Sequence, residues 1–183
     1  MNHSFSRGVG VRKSLCIAMM FLSVVAWAKE GVNIADFITP AFSHGVQIEK
    51  KQFRLSPKEL KSVQDASHAT LDSDLVRFYT VKNKTSIEGY AVLVVKKIRT
   101  KNAAIVYVID TNYHIKSTEI VYFAEPQEYK PSANWLQTLQ GKTQEDNLYA
   151  SKGIPVISGA TLSSRAISDA ARIALVLVKR YAK

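Results

Sequence analysis

The chain has a single cysteine, Cys16, in 183 residues, and that one falls in a segment expected to be removed. A cysteine-free remainder cannot close a disulfide, hold an iron–sulfur cluster through thiolates, attach haem through C-x-x-C-H or run thiol–disulfide chemistry. Histidine is scarce too. His44, His68 and His114 are scattered, none with a partner at metal-ligand spacing, so a zinc site is not expected. Acidic residues number 15 against 25 Lys and Arg, a formal charge of +10. No repeat or low-complexity tract occurs, and no acid/base constellation points to an autonomous enzyme. If this chain handles electrons, it must do so through an organic cofactor or a metal held by other ligands.

The N-terminus reads as an export signal. Arg7, Arg12 and Lys13 form a basic region, Leu15 to Ala26 is apolar, and Ala26-Trp27-Ala28 is an A-x-A cleavage site before Lys29. An uncleaved anchor is the competing reading, but the run is short of the roughly 20 residues that span a bilayer. No twin-arginine pair precedes it, which favours the general secretory route. Cys16 lies ahead of most of the apolar run, the wrong place for a lipoprotein cysteine. The expectation is therefore a signal peptide over 1–28, cleavage near Ala28, and a periplasmic or otherwise exported domain over 29–183. Removing 28 of 183 residues leaves 155, enough for one domain with a core. Three basic and no acidic residues leave with the signal, taking the charge from +10 to about +7. An exported chain is not expected to meet nucleic acid. Its positive excess suits an anionic ligand, an acidic partner protein or peripheral contact with a membrane surface, or simply a solvated basic surface.

Ser56-Pro57-Lys58-Glu59 is a capping box with proline at the first helical position and predicts a helix from Pro57 to about Ala66. Val46 to Leu55 alternates loosely as a strand. Leu75–Val81, Gly89–Arg99, Ala103–Asp110 and Tyr113–Phe123 are rich in Val, Ile and Tyr and joined by short polar links, which predicts antiparallel neighbours. Asp110-Thr111-Asn112 is a hairpin turn without the usual glycine. Ser132 caps a short helix through Trp135 to about Gln140, with Gly141 as its stop. Residues 142–157 form a polar excursion. The last helix runs to about Tyr181, and Ile173 to Val178 is apolar all round, as in a buried helix. The class predicted is α+β, a curved antiparallel sheet packed with helices.

Ser158-Gly159-Ala160-Thr161-Leu162-Ser163, followed by Ser164, opens that helix. A helix start offers unbonded N–H groups and the positive end of the macrodipole, which suit a phosphate. Gly159 and Ala160 leave room for close approach to the backbone. Thr161 has no activating base beside it, so nothing marks it as catalytic. Ser158, Ser163 and Ser164 can hold phosphate oxygens or cap the helix. An ordinary hydroxyl-rich N-cap is the plain alternative.

This segment resembles the flavin-attachment motif of the FMN-binding domain family, which includes the flavin subunits of the sodium-pumping NADH:quinone reductase and of the Rnf complex, and small exported proteins. The order of Gly89-Tyr90, the strand from Ala104, the strand ending near Glu125 and the Trp135 to Lys142 element is also similar, so the resemblance spans 85–182. It implies FMN as cofactor, joined to Thr161 by a phosphoester bond. It further implies a site formed by Ser158, Gly159, Ala160, Leu162, Ser163 and Ser164, and an electron-carrier role with membrane or soluble redox partners. An exported flavin transferase would use FAD, leave FMN on Thr161 and release AMP. One position departs from the family. Pro155 stands where the transfer signature has an aspartate, three residues before the serine, and offers the transferase no carboxylate. A non-covalent flavin-delivery module and a cofactor-less interaction subunit are the alternatives. Among other residues, Glu125 and Glu128 read as a solvated loop pair. Trp135 and Tyr129 read as sheet-packing aromatics that could also stack on a flavin, and Lys82, Lys84, Lys96 and Lys97 as a solvated basic face.

Overall fold

A computed structural model describes residues 32–182; the expected signal peptide and its cleavage near Ala28 lie outside the described residues. Strands β1 (Gln47–Arg54), β2 (Leu75–Asn83), β3 (Ser86–Lys97), β4 (Asn102–Asp110) and β5 (Ile115–Phe123) form one antiparallel sheet in chain order. The α+β class is as expected. Bulges at Val81/Lys82, Ala104/Ile105 and Val108/Ile109 interrupt the register, the device that bends and twists a sheet. Helices α1 (Ala35–Ile38), α2 (Pro57–Ser67), α3 (Ala133–Leu136) and α4 (Thr161–Tyr181) complete the fold.

The interior strand β4 reads as a continuous apolar run because both of its faces are covered. Ile105, Tyr107 and Ile109 join the large core beneath α4, while Val106 and Val108 join a smaller core with Ile38 of α1. Gly89 makes the second core possible. A Cβ there would sit 2.6 Å from the Ile109 carbonyl oxygen and 2.8 Å from the Phe42 ring, so only glycine lets that ring lie on the sheet. The glycine-free β4–β5 turn closes with Tyr113 in the left-handed region (φ 65°). The Asp110 carboxylate accepts from the N–H groups of Asn112 (2.9 Å) and His114 (2.8 Å).

Helix α2 begins with the expected capping box: Ser56 Oγ accepts from Glu59 N–H, and Glu59 accepts from Ser56 N–H at 2.8 Å. Helix α4 is buried from Ala166 through Val178 apart from Asp169, in keeping with its all-round apolar stretch. It is fixed to the sheet by Tyr107, whose hydroxyl donates to the Ile167 carbonyl at 2.6 Å. Burial pushes that phenol well above its ordinary pKa, so it stays a donor. Tyr107→Phe is expected to cost about 1 kcal/mol, readable as a lower urea midpoint at unchanged slope.

Two cationic side chains are internal. Arg172 is buried and donates to the Ser67, His68 and Leu148 carbonyls at 2.8, 3.1 and 3.0 Å and to Asp169 at 2.8 Å. It thus closes the C-terminal end of α2, where His68 takes φ 48°, and ties residues 142–157 to α4. Lys96 is not part of a solvated basic face: it is buried and donates to the Thr70 carbonyl at 2.6 Å beside Asp72. Among the described residues, no helix is long and apolar enough to cross a membrane.

Candidate functional site

The turn before α4 is built by short-range bonds. Ala160 N–H donates to the Ile157 carbonyl at 3.0 Å, Gly159 takes φ 78°, and Ser164 Oγ accepts from Ile157 N–H at 3.0 Å while donating to the Ala160 carbonyl at 3.3 Å. Positive φ explains a glycine at 159, and the space on its Cβ side is open, with nothing within 4 Å. Ser164 is fully buried, so its hydroxyl fastens the turn.

The N-cap residue of α4 is Ala160, and no side chain caps the helix. Alanine is among the poorest N-caps, worth about 1 kcal/mol less than serine or aspartate. A segment with four hydroxyls thus uses none of them as the cap, which sets aside the plain N-cap reading. The N–H groups of Thr161, Leu162 and Ser163 have no intrahelical acceptor. Thr161 is half-buried, Ser158, Gly159 and Leu162 are exposed, and Ser163 is 1% exposed with its Oγ lacking any partner.

Gly159, Ala160, Thr161, Leu162 and Ser163 line one side of a cavity of about 190 Å³; Ile98, Arg99, Glu125 and Tyr129 line the other. Ser158 and Ser164 are not among its lining residues. Ile98 and Arg99 belong to the turn between β3 and β4. Glu125 is not a solvated loop carboxylate: it is 5% exposed, and its Oε1 accepts from the N–H groups of Arg99 (3.1 Å), Thr100 (2.6 Å) and Lys101 (2.8 Å). Those bonds, first from Lys101 and Thr100, hold its carboxyl below the usual 4.5, so Glu125 is a poor base for activating Thr161. Arg165, one helical turn beyond Thr161, is exposed, as is Arg99. Trp135 lies away from this cavity, in the core, where its Nε1–H donates to the Pro155 carbonyl at 2.9 Å. Tyr129 faces the cavity, half-buried.

A larger cavity, about 600 Å³, lies between α1, β5 and α3 and contains none of the 158–164 residues. Among the described residues, no cluster of three or more His, Cys, Asp or Glu could hold a metal.

The donor set around Thr161 fits the phosphate end of a flavin mononucleotide: three N–H groups, an orphaned buried hydroxyl, an open glycine flank and an exposed arginine. Of the residues named from the sequence, Gly159 to Ser163 line this cavity and Ser158 and Ser164 do not, while Ile98, Arg99 and the part played by Glu125 had no signal in the sequence. A three-residue turn whose N–H groups converge on a carboxylate some 25 residues away leaves no local pattern.

The sequence profile of the FMN-binding domain matches residues 72–176, more than half of the chain. It begins earlier than the expected 85 and stops short of 182, covering β2 to β5, both sides of the cavity and most of α4. No curated protein and no solved structure matches the chain. With FMN as its cofactor, the chain belongs to the FMN-binding domain family.

Proposed function

We propose that this protein is an exported electron carrier that holds FMN on Thr161 Oγ through a phosphoester bond. One observation carries the reading: Thr161 stands at the start of a long helix that has no side-chain cap and lines one cavity with Ser163, whose buried hydroxyl is unpartnered. When bound, FMN supplies one- or two-electron redox chemistry. The chain supplies placement. The N–H groups of Thr161, Leu162 and Ser163 and the helix dipole stabilise the phosphodiester charge. Ile98, Leu162 and Tyr129 offer apolar walls.

Cavity size supports a tether. Sites that enclose a small ligand are roughly 300–1,000 Å³, and this one is about 190 Å³. A flavin held here keeps much of its surface outside, open to redox partners but weakly retained. Covalent attachment makes rebinding intramolecular and removes the loss by dilution. With no free base beside Thr161 among the described residues, attachment would fall to a flavin transferase: Thr161 Oγ would bond to the FMN phosphorus as the pyrophosphate of FAD breaks, and AMP would leave with the proton. Electrons would pass between a membrane or soluble donor and an acceptor, a role like that of the flavin subunits of the sodium-pumping NADH:quinone reductase and of Rnf. Exposed Lys97, Arg99, Lys101, Lys130 and Arg165 in the segments that form the cavity suit acidic partner proteins or an anionic membrane surface, and export would keep the protein from nucleic acid.

Pro155 favours a second reading, in which FMN binds reversibly. The two are separable. Pro155 is exposed, and only its carbonyl is engaged, by Trp135, so Pro155→Asp preserves that bond. Under co-expression with a limiting amount of flavin transferase, Pro155→Asp is expected to raise the covalently loaded fraction severalfold, read by intact mass. No covalent loading in either protein would leave the reversible module as the function.

A further inference from the structure

We infer that Glu125 is a positioning residue for the flavin site, clamping the turn between β3 and β4 so that Arg99 meets the flavin phosphate across the cavity from Thr161. The inference rests on the FMN reading of the site. A carboxylate that accepts three successive N–H groups at 2.6–3.1 Å fixes the path of residues 99–101. It does so from inside the protein, at 5% exposure, where such charge-assisted bonds are strongest. The clamped turn carries Ile98 and Arg99 into the wall opposite Gly159 to Ser163. Among the described residues, the guanidinium groups of Arg77, Arg99 and Arg165 have no hydrogen-bond or ion-pair partner, unlike those of Arg54, Arg172 and Arg180, and of these three only Arg99 lines the cavity. A phosphate at the uncapped start of α4 supplies one, and a guanidinium is the side chain best shaped to grip it. Glu125 itself is negative and lines the same cavity, but its Oε1 faces the turn's N–H groups, so its part is to hold the turn.

Titration of purified, transferase-free protein tests this, with flavin fluorescence read for FMN and for riboflavin, which lacks the phosphate. Arg99→Gln is expected to weaken FMN binding by roughly tenfold, the scale of one charge-assisted hydrogen bond, to flatten its salt dependence and to leave riboflavin binding unchanged. Glu125→Gln is expected to weaken FMN binding severalfold in the parent, yet to add little once Arg99 is already Gln, because the two act as one unit. Arg99 is exposed, so that variant folds whatever becomes of Glu125→Gln. Additive losses, or equal losses for riboflavin, would overturn the inference, as would FMN binding indifferent to Arg99→Gln. Failure of the unaltered chain to bind free FMN at millimolar concentration would overturn this inference alone, whereas the reading of the site is overturned separately, by absence of both reversible binding and covalent loading under a flavin transferase.

Discussion

Thr161→Ala protein, co-expressed with a flavin transferase, is expected to fold as the parent does and to carry no covalent flavin. The loss should be complete, because the phosphoester needs one particular oxygen. Ser163 and Ser164 lie within three residues, but at 1% and 0% exposure neither can be reached by a transferase, and exposed Ser158 lies ahead of the helix start and does not line the cavity. The fold should be nearly indifferent. Thr161 is the first residue of α4 and not its cap, its hydroxyl makes no capping bond, and alanine has the better helix propensity. A stability change within about 0.5 kcal/mol is expected. Thr161→Ser keeps the oxygen and is expected to retain part of the loading. Flavin that stays with Thr161→Ala after denaturation and desalting would sink the assignment to this residue.

Arg172→Met is expected to lower the melting temperature by about 6–12 °C. The guanidinium satisfies three carbonyls and the Asp169 carboxylate, and lies 4.0 Å from the centre of the Tyr149 ring. Methionine fills similar volume but donates nothing, leaving the Ser67, His68 and Leu148 carbonyls short of a partner. Unpaired buried acceptors and the lost charge-assisted bonds come to roughly 3 kcal/mol, and a domain of about 150 residues loses some 2–4 °C per kcal/mol. Arg172→Lys is expected to recover only a minor part, since one ammonium cannot span three carbonyls on two segments. Calorimetry decides the matter: a shift below about 2 °C would mean that α2 and residues 142–157 are held to α4 by apolar packing alone.

The elements legible in the sequence are those with a local cause. The capping box at Ser56 and Glu59 gave α2, Val, Ile and Tyr enrichment with short polar links gave the antiparallel strands, and the apolar run from Ile173 to Val178 marked a buried helix. The small-residue turn at 158–160 was legible for the same reason, since Gly159 needs a left-handed backbone and sits within the motif. What stayed hidden is what long-range pairing decides. Nothing local marks Arg172 as buried, since the carbonyls around it come from the end of α2, some 105 residues earlier. Lys96 and Glu125 misled, because a charged residue is solvated by default and only the fold reveals the backbone groups that justify burying it. The second wall of the cavity was invisible too, as the turn carrying Arg99 comes to Thr161 through sheet order and not through spacing.

Intact mass and visible spectrum of the denatured protein, after co-expression with a flavin transferase, test the central claim most directly. The account expects a gain of one FMN less one water, a flavin absorption that survives denaturation, and a modified peptide that contains Thr161. An unmodified mass under a transferase that loads a control substrate would contradict covalent attachment, and bound flavin mapped to another residue would contradict the site.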